Sequence, residues 1–172
     1  RISAPQLRSS AKFTRKRNKK RLMKRKRGEK SMRILLIDGQ GGRMGKELCA
    51  RILSRFPGVD LVCVGTNSMA TAVMLKGGAT AAATGENAIC VCAKEADLIV
   101  GPIGIVIADS MLGEITPAMA LAVAQSRAKK ILLPTNRCNH LVAGIRDQTI
   151  SVLLDDALEK MERLINDAGT CS

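Results

Sequence analysis

Gly39, Gln40, Gly41, Gly42, Arg43 and Gly45 lie within seven residues, directly after a run at residues 34–38 that suits a buried strand. The chemistry these types suit is anion binding rather than proton transfer. Glycines let a turn take dihedrals that other residues avoid, and they let a ligand approach the backbone with no Cβ in the way. If a helix starts at the turn, its free N–H groups and dipole favour a negative guest, with phosphate the natural one. Arg43 adds a charge. The competing reading is that the glycines only allow a strand and a helix to pack closely. The spacing of Gly39, Gly42 and Gly45 is G-x-x-G-x-x-G, not the strict G-x-G-x-x-G of dinucleotide-binding folds.

Other candidates surround this turn. Thr66 and Asn67 follow the next apolar run and suit contacts to a sugar or base, with no Asp or Glu there to take a ribose hydroxyl. Gly101, Pro102, Ile103, Gly104 and Asn136 end later apolar runs and would close a cleft from neighbouring strands. The acid–base candidates are Asp38, Glu86, Asp109, Glu114 and His140. Asp38 suits either a cap on the glycine turn or a place facing the cleft, and Glu86 and Glu114 suit helix starts. No nucleophile–base pair emerges, so no catalytic residue is assigned. Cys90 and Cys92 with Cys138 and His140 have the donor types of a Cys₃His zinc site. Two residues apart suits a strand, whereas a helix splays such a pair onto different faces. Buried thiols are the simpler reading, and no metal is expected.

The elements that must position these groups follow from periodicity. Met44, Leu48, Ile52 and Phe56 form a helical stripe ended by Pro57-Gly58. Residues 61–64 read as a strand. Ser68 is read as the cap of a second helix carrying Met69, Val73 and Met74, stopped at Gly77-Gly78. Residues 79–84 hide a short strand, residues 85–96 are helical, and 98–100 form a further strand. Residues 105–112 read equally as helix or strand. Thr116-Pro117 starts an Ala- and Met-rich helix, and 131–133 are a strand. A strand is also read at 141–145. Ser151 caps a last helix with the stripe Leu154, Leu158, Met161 and Ile165. Short apolar strands alternating with helices predict a single Rossmann-like α/β domain at 32–166. It is a three-layer, doubly wound and mostly parallel sheet, with a C-terminal tail at 167–172. In such sheets ligands sit beyond the carboxyl ends of the strands, where the candidate residues gather.

Charge divides the chain sharply. Residues 1–30 hold 14 of the 28 Lys and Arg with one acid, while the remainder balances 14 basic against 14 acidic residues. The basic segment has little apolar periodicity, which predicts a disordered tail over 1–31. A nucleic-acid arm and a transit peptide are two readings. The favoured one is a translated leader with the native start at Met32, because Gly28-Glu29 can be encoded by a ribosome-binding GGAG just upstream. Nucleic acid is a partner only if the tail is native. Six cysteines, mostly in apolar runs, read as reduced thiols of a cytoplasmic protein, and no apolar run is long enough to span a bilayer.

Two resemblances add to this reading. The G-x-x-G-R-M-G turn at residues 39–45 is similar to that of dihydrodipicolinate reductase, which implies NAD(P)H. That family's substrate domain and paired-histidine motif have no counterpart here. The segments I-D-G-Q-G-G at 37–42, G-T-N at 65–67, A-T-G-E-N-A at 83–88, G-P-I-G-I at 101–105 and S-M-L-G-E-I-T-P-A-M at 110–119 together resemble the small bacterial family catalogued as domain of unknown function 3842. That resemblance implies a compact Rossmann-like protein and no particular reaction. The expectation is a protein that binds an NAD(P)-like nucleotide or another phosphate-bearing small molecule at the glycine turn, with NAD(P)-dependent oxidoreduction the first guess if it is an enzyme. A ligand-sensing module, homo-oligomeric through the Ala- and Met-rich helix, is the alternative.

Overall fold

A computed structural model of the chain describes residues 31–134, 142 and 148–169. The expectations for the basic tail, Asn136, Cys138, His140 and a strand at 141–145 lie outside these residues. Five strands form one sheet: β1 (Arg33–Asp38), β2 (Asp60–Gly65), β3 (Ala81–Thr84), β4 (Leu98–Pro102) and β5 (Lys129–Leu133). Their order is β3-β2-β1-β4-β5, and every neighbouring pair is parallel. The fold is α/β and Rossmann-like, with helices on both faces of the sheet.

Strand β1 shows why three layers form. Its side chains alternate between faces, yet Ile34, Leu35, Leu36 and Ile37 are all 0% exposed. Ile34 and Leu36 pack with Leu48 and Ile52 of α1 (Arg43–Arg55) and with Leu154, Leu158 and Met161 of the last helix. Leu35 and Ile37 pack on the other side with Ile89 of α3 (Glu86–Glu95) and with Met119 and Val123 of α4 (Pro117–Gln125). A fully buried aliphatic side chain of this kind contributes about 1.5–3 kcal/mol. The Ala- and Met-rich α4 therefore turns much of its apolar surface inward, leaving Leu121 as its large exposed hydrophobe.

Capping departs from the sequence reading at two helices. Helix α2 (Ser68–Lys76) is capped by Asn67, whose Oδ1 accepts the Ala70 amide at 2.8 Å, and not by Ser68. Three capping types stand in a row at Thr66-Asn67-Ser68, so composition alone does not choose among them. One consequence is that Met69 is exposed while Ala70, Thr71 and Met74 face inward. The last helix, α5 (Ile150–Gly169), starts before Ser151. Thr149 serves it, its oxygens accepting from Val152 and Leu153. Thr116 does cap α4, with Pro117 in the first turn.

Residues 105–112, read as helix or strand, form neither over their length. A 3₁₀ turn (Ile103–Val106) leads into a reversed turn at Ser110–Gly113. Met111, Leu112 and Gly113 have φ values of 57, 62 and 85°. For residues other than glycine, left-handed backbone costs roughly 1–2 kcal/mol per residue. No helix among the described residues is long and apolar enough to cross a membrane.

Candidate functional site

The turn between β1 and α1 is organised by Asp38. Its side chain is buried and accepts the Gly39 amide at 2.9 Å and the Gly45 amide at 2.6 Å. One carboxylate thus spans the whole turn and fastens the strand end to the first turn of the helix. Burial pushes the Asp38 carboxyl above the ordinary 3.8, against the pull of the Gly45 and Gly39 amides, and the nearby Glu114 charge adds to the rise. Gly42 lies in the left-handed region at φ 65° and supplies the N-cap of α1.

Three of the four glycines are required by the protein's own packing. A Cβ on Gly42 would lie 2.6 Å from the Ala70 backbone, one on Gly45 2.6 Å from the Asp38 Cβ, and one on Gly39 2.7 Å from Thr66 Oγ1. Gly41 is different. A Cβ there would meet no described residue within 4 Å, which leaves this face clear of them. Among the described residues, the backbone amides of Gly41, Arg43 and Met44 have no hydrogen-bond acceptor. They are the orphan donors left at a helix start.

A cleft of about 310 Å³ opens beside this turn. The turn and the start of α1 form one wall, with Glu47 a turn further along; Pro102 from the end of β4, Met111 and Ile150 form the others. The sheet order reverses between β1 and β4, so the cleft lies at the topological switch point where doubly wound sheets take ligands. Of the residues nominated from sequence, Asp38, Gly39, Gln40, Gly41, Gly42, Arg43 and Pro102 line it. Gly45 is tucked behind the turn. Gly101 sits within β4, where a Cβ would lie 2.4 Å from the Ile37 carbonyl oxygen. Ile103 and Gly104 belong to the 3₁₀ turn, and the Gly104 carbonyl accepts Ser110 Oγ at 2.6 Å.

Thr66 and Asn67 are brought to the turn but not into the cleft, and their polar atoms are bonded internally. Glu114 Oε2 accepts Thr66 Oγ1 at 2.5 Å, Asn67 Nδ2 at 3.0 Å and the Gln40 amide at 2.7 Å. Burial alone would raise the Glu114 carboxyl, but the hydrogen bonds from Thr66, Gln40 and Asn67 outweigh it and hold the group below the ordinary 4.5. Sequence reading placed Glu114 at a helix start. Its contacts lie 47, 48 and 74 positions away, beyond the reach of any local pattern; the one signal nearby was Gly113.

Glu86 does sit in the first turn of α3, and it accepts Thr116 Oγ1 at 2.5 Å. Cys90 and Cys92 lie on α3, where their spacing places them on different faces. No metal-binding group of three or more His, Cys, Asp or Glu occurs among the described residues.

Comparison with curated proteins and with solved structures returned no match. Residues 33–166, well over half of the chain, match the family model described as Domain of unknown function (DUF3842). The whole sheet and nearly all of α5 fall inside that match, and so does every element of the cleft. The chain belongs to the DUF3842 family.

Proposed function

We propose that this protein binds a phosphate-bearing small molecule, with a nucleotide the first class to test, and that the phosphate sits on the amides of Gly41, Arg43 and Met44. The observation that carries this reading is that, among the described residues, nothing covers Gly41 or engages the amides of Gly41, Arg43 and Met44 at the switch point of the sheet. A helix start of this kind favours negative charge through its N–H groups and its dipole. Arg43, exposed at the rim, adds a cation. Pro102, Met111 and Ile150 give the opposite side an apolar character suited to a ring or sugar face.

The likeness of the turn to that of dihydrodipicolinate reductase is the ground for naming NAD(P) among the nucleotides, and oxidoreduction as the reaction if there is one. A second reading, a ligand sensor without catalysis, is favoured by one observation. The two carboxylates beside the cleft's glycine turn, Asp38 and Glu114, are both engaged by backbone or side-chain donors. Neither is poised as a general base. Buried thiols at Cys49 and Cys63 support a reducing, cytoplasmic setting.

The test is a titration of the protein with inorganic phosphate, AMP and NAD⁺, read by calorimetry and by amide NMR. Gly41→Val is the informative variant, because Gly41 lines the cleft and a Cβ there meets no described residue within 4 Å. Binding by the parent chain that is lost in Gly41→Val at an unchanged thermal midpoint supports the site. Equal binding by both places the ligand elsewhere.

A further inference from the structure

The segment that leaves β4 does not stop at the cleft. It carries Met111 over Gly39 and ends with Glu114 bonded to Thr66 and Asn67 beyond β1. A Cβ on Gly39 would find Thr66 Oγ1, Met111 Sδ and Glu114 Oε2 at 2.7, 2.8 and 2.9 Å. That face of the turn is therefore filled by the protein itself. A dinucleotide on a doubly wound sheet needs this space, because its pyrophosphate crosses the glycine turn and its ribose reaches the end of the second strand. Here a carboxylate already fills that side of the turn, taking the Gln40 amide and both polar side chains at the end of β2.

We propose that Glu114 restricts the cleft to phosphomonoesters of mononucleotide size or smaller and excludes dinucleotides. The inference rests on the phosphate site proposed above and narrows what it takes. Two features support it independently. Gly41, Arg43 and Met44, whose amides no described residue engages, all line the cleft, whereas Glu114 does not line it and takes the neighbouring Gln40 amide. The cleft, at about 310 Å³, stands at the lower end of the roughly 300–1,000 Å³ usual for ligand pockets. A dinucleotide entering would displace a carboxylate held by three donors, and would set its own negative charge against that carboxylate if it did not.

The experiment compares AMP and NAD⁺ on the full chain and on Glu114→Ala, with inorganic phosphate as a probe of the anion position. In the parent chain, AMP and phosphate should shift the amide signals of Gly41, Arg43 and Met44 and leave that of Gln40 in place. NAD⁺ should bind at least about tenfold more weakly than AMP, and Glu114→Ala should narrow that gap by raising NAD⁺ affinity relative to AMP. Should Glu114→Ala fail to fold, the NMR pattern and the AMP-to-NAD⁺ ratio in the parent chain decide alone. NAD⁺ binding as tight as AMP in the parent chain overturns the proposal. So does a folded Glu114→Ala that binds AMP yet gains nothing for NAD⁺, and both results leave the phosphate site standing. No response to phosphate or AMP from the parent chain overturns the site and this inference together.

Discussion

The carboxylate of Asp38 reaches past its own strand end to the amide of Gly45, 2.6 Å away, while also holding the amide of Gly39. The glycine turn is thereby closed on itself by the residue that precedes it. Asp38→Asn keeps the shape but has only one oxygen to accept with, and its NH₂ group would face the second amide. A buried donor left unpaired costs about 1–3 kcal/mol, and we expect Asp38→Asn to lose stability in that range. Urea unfolding at neutral pH measures it, and an unchanged midpoint would remove Asp38 as the organiser of the turn.

Asp38 and Glu114 should respond to pH with opposite signs. Glu114 is held below the ordinary 4.5 by its donors in the folded state, so its contribution is present above that value and is lost as pH falls through the folded pKa. Asp38 is raised above the ordinary 3.8, chiefly by burial. Its contribution is present below that value and is lost as pH rises through the folded pKa. Stability curves of the parent chain, Glu114→Gln and Asp38→Asn across the carboxylate range test this. Acidification should shrink the advantage of the parent over Glu114→Gln and enlarge its advantage over Asp38→Asn. Parallel curves for all three would contradict both assignments.

How much of this was legible in the sequence depends on the range of the interaction. Strand β1, the glycine turn and the stripe Leu48 and Ile52 are periodic signals set by neighbours in the chain, and the structure carries them. The Thr116-Pro117 helix start is equally local. Residues 79–84 hide the short edge strand that was expected, Ala81–Thr84. Cap choice at Asn67 failed because three adjacent residues have the right chemistry and only backbone geometry selects one. The left-handed turn at Met111 and Leu112 is marked in the sequence by Gly113 alone, since neither Met nor Leu favours positive φ. Glu114 was read as favouring a helix start and its true partners were missed for a third reason, that they come from two distant strand ends.

Cys49 and Cys63 are both 0% exposed and lie against each other between α1 and β2. The Cys49 contact and burial hold the Cys63 thiol far above its usual range. Native alkylation followed by peptide mass spectrometry should therefore leave these two unmodified while Cys90, partly exposed on α3, reacts. Thiolate is the reactive form and access is required for it. Rapid labelling of Cys63 in the folded chain would show that the layer between α1 and the sheet opens far more readily than its packing implies.

Leu112 is 98% exposed and sits at φ 62°, so its side chain gains no packing to offset the strained backbone. Met111, by contrast, is 7% exposed and its sulfur packs over Gly39, and its neighbour Glu114 is fixed by three donors. The turn is held from both sides by these anchors, and Leu112 only bridges them. Asn accepts left-handed backbone more readily than Leu, so Leu112→Asn should stabilise the chain by roughly 0.5–1 kcal/mol. Leu112→Val, branched at Cβ, should destabilise it by a similar or larger amount. Thermal midpoints of the two variants, measured beside Met111→Ala, separate strain from packing. If Leu112→Asn proved neutral while Leu112→Val cost nothing, the reversed turn would not be the conformation that the folded protein adopts.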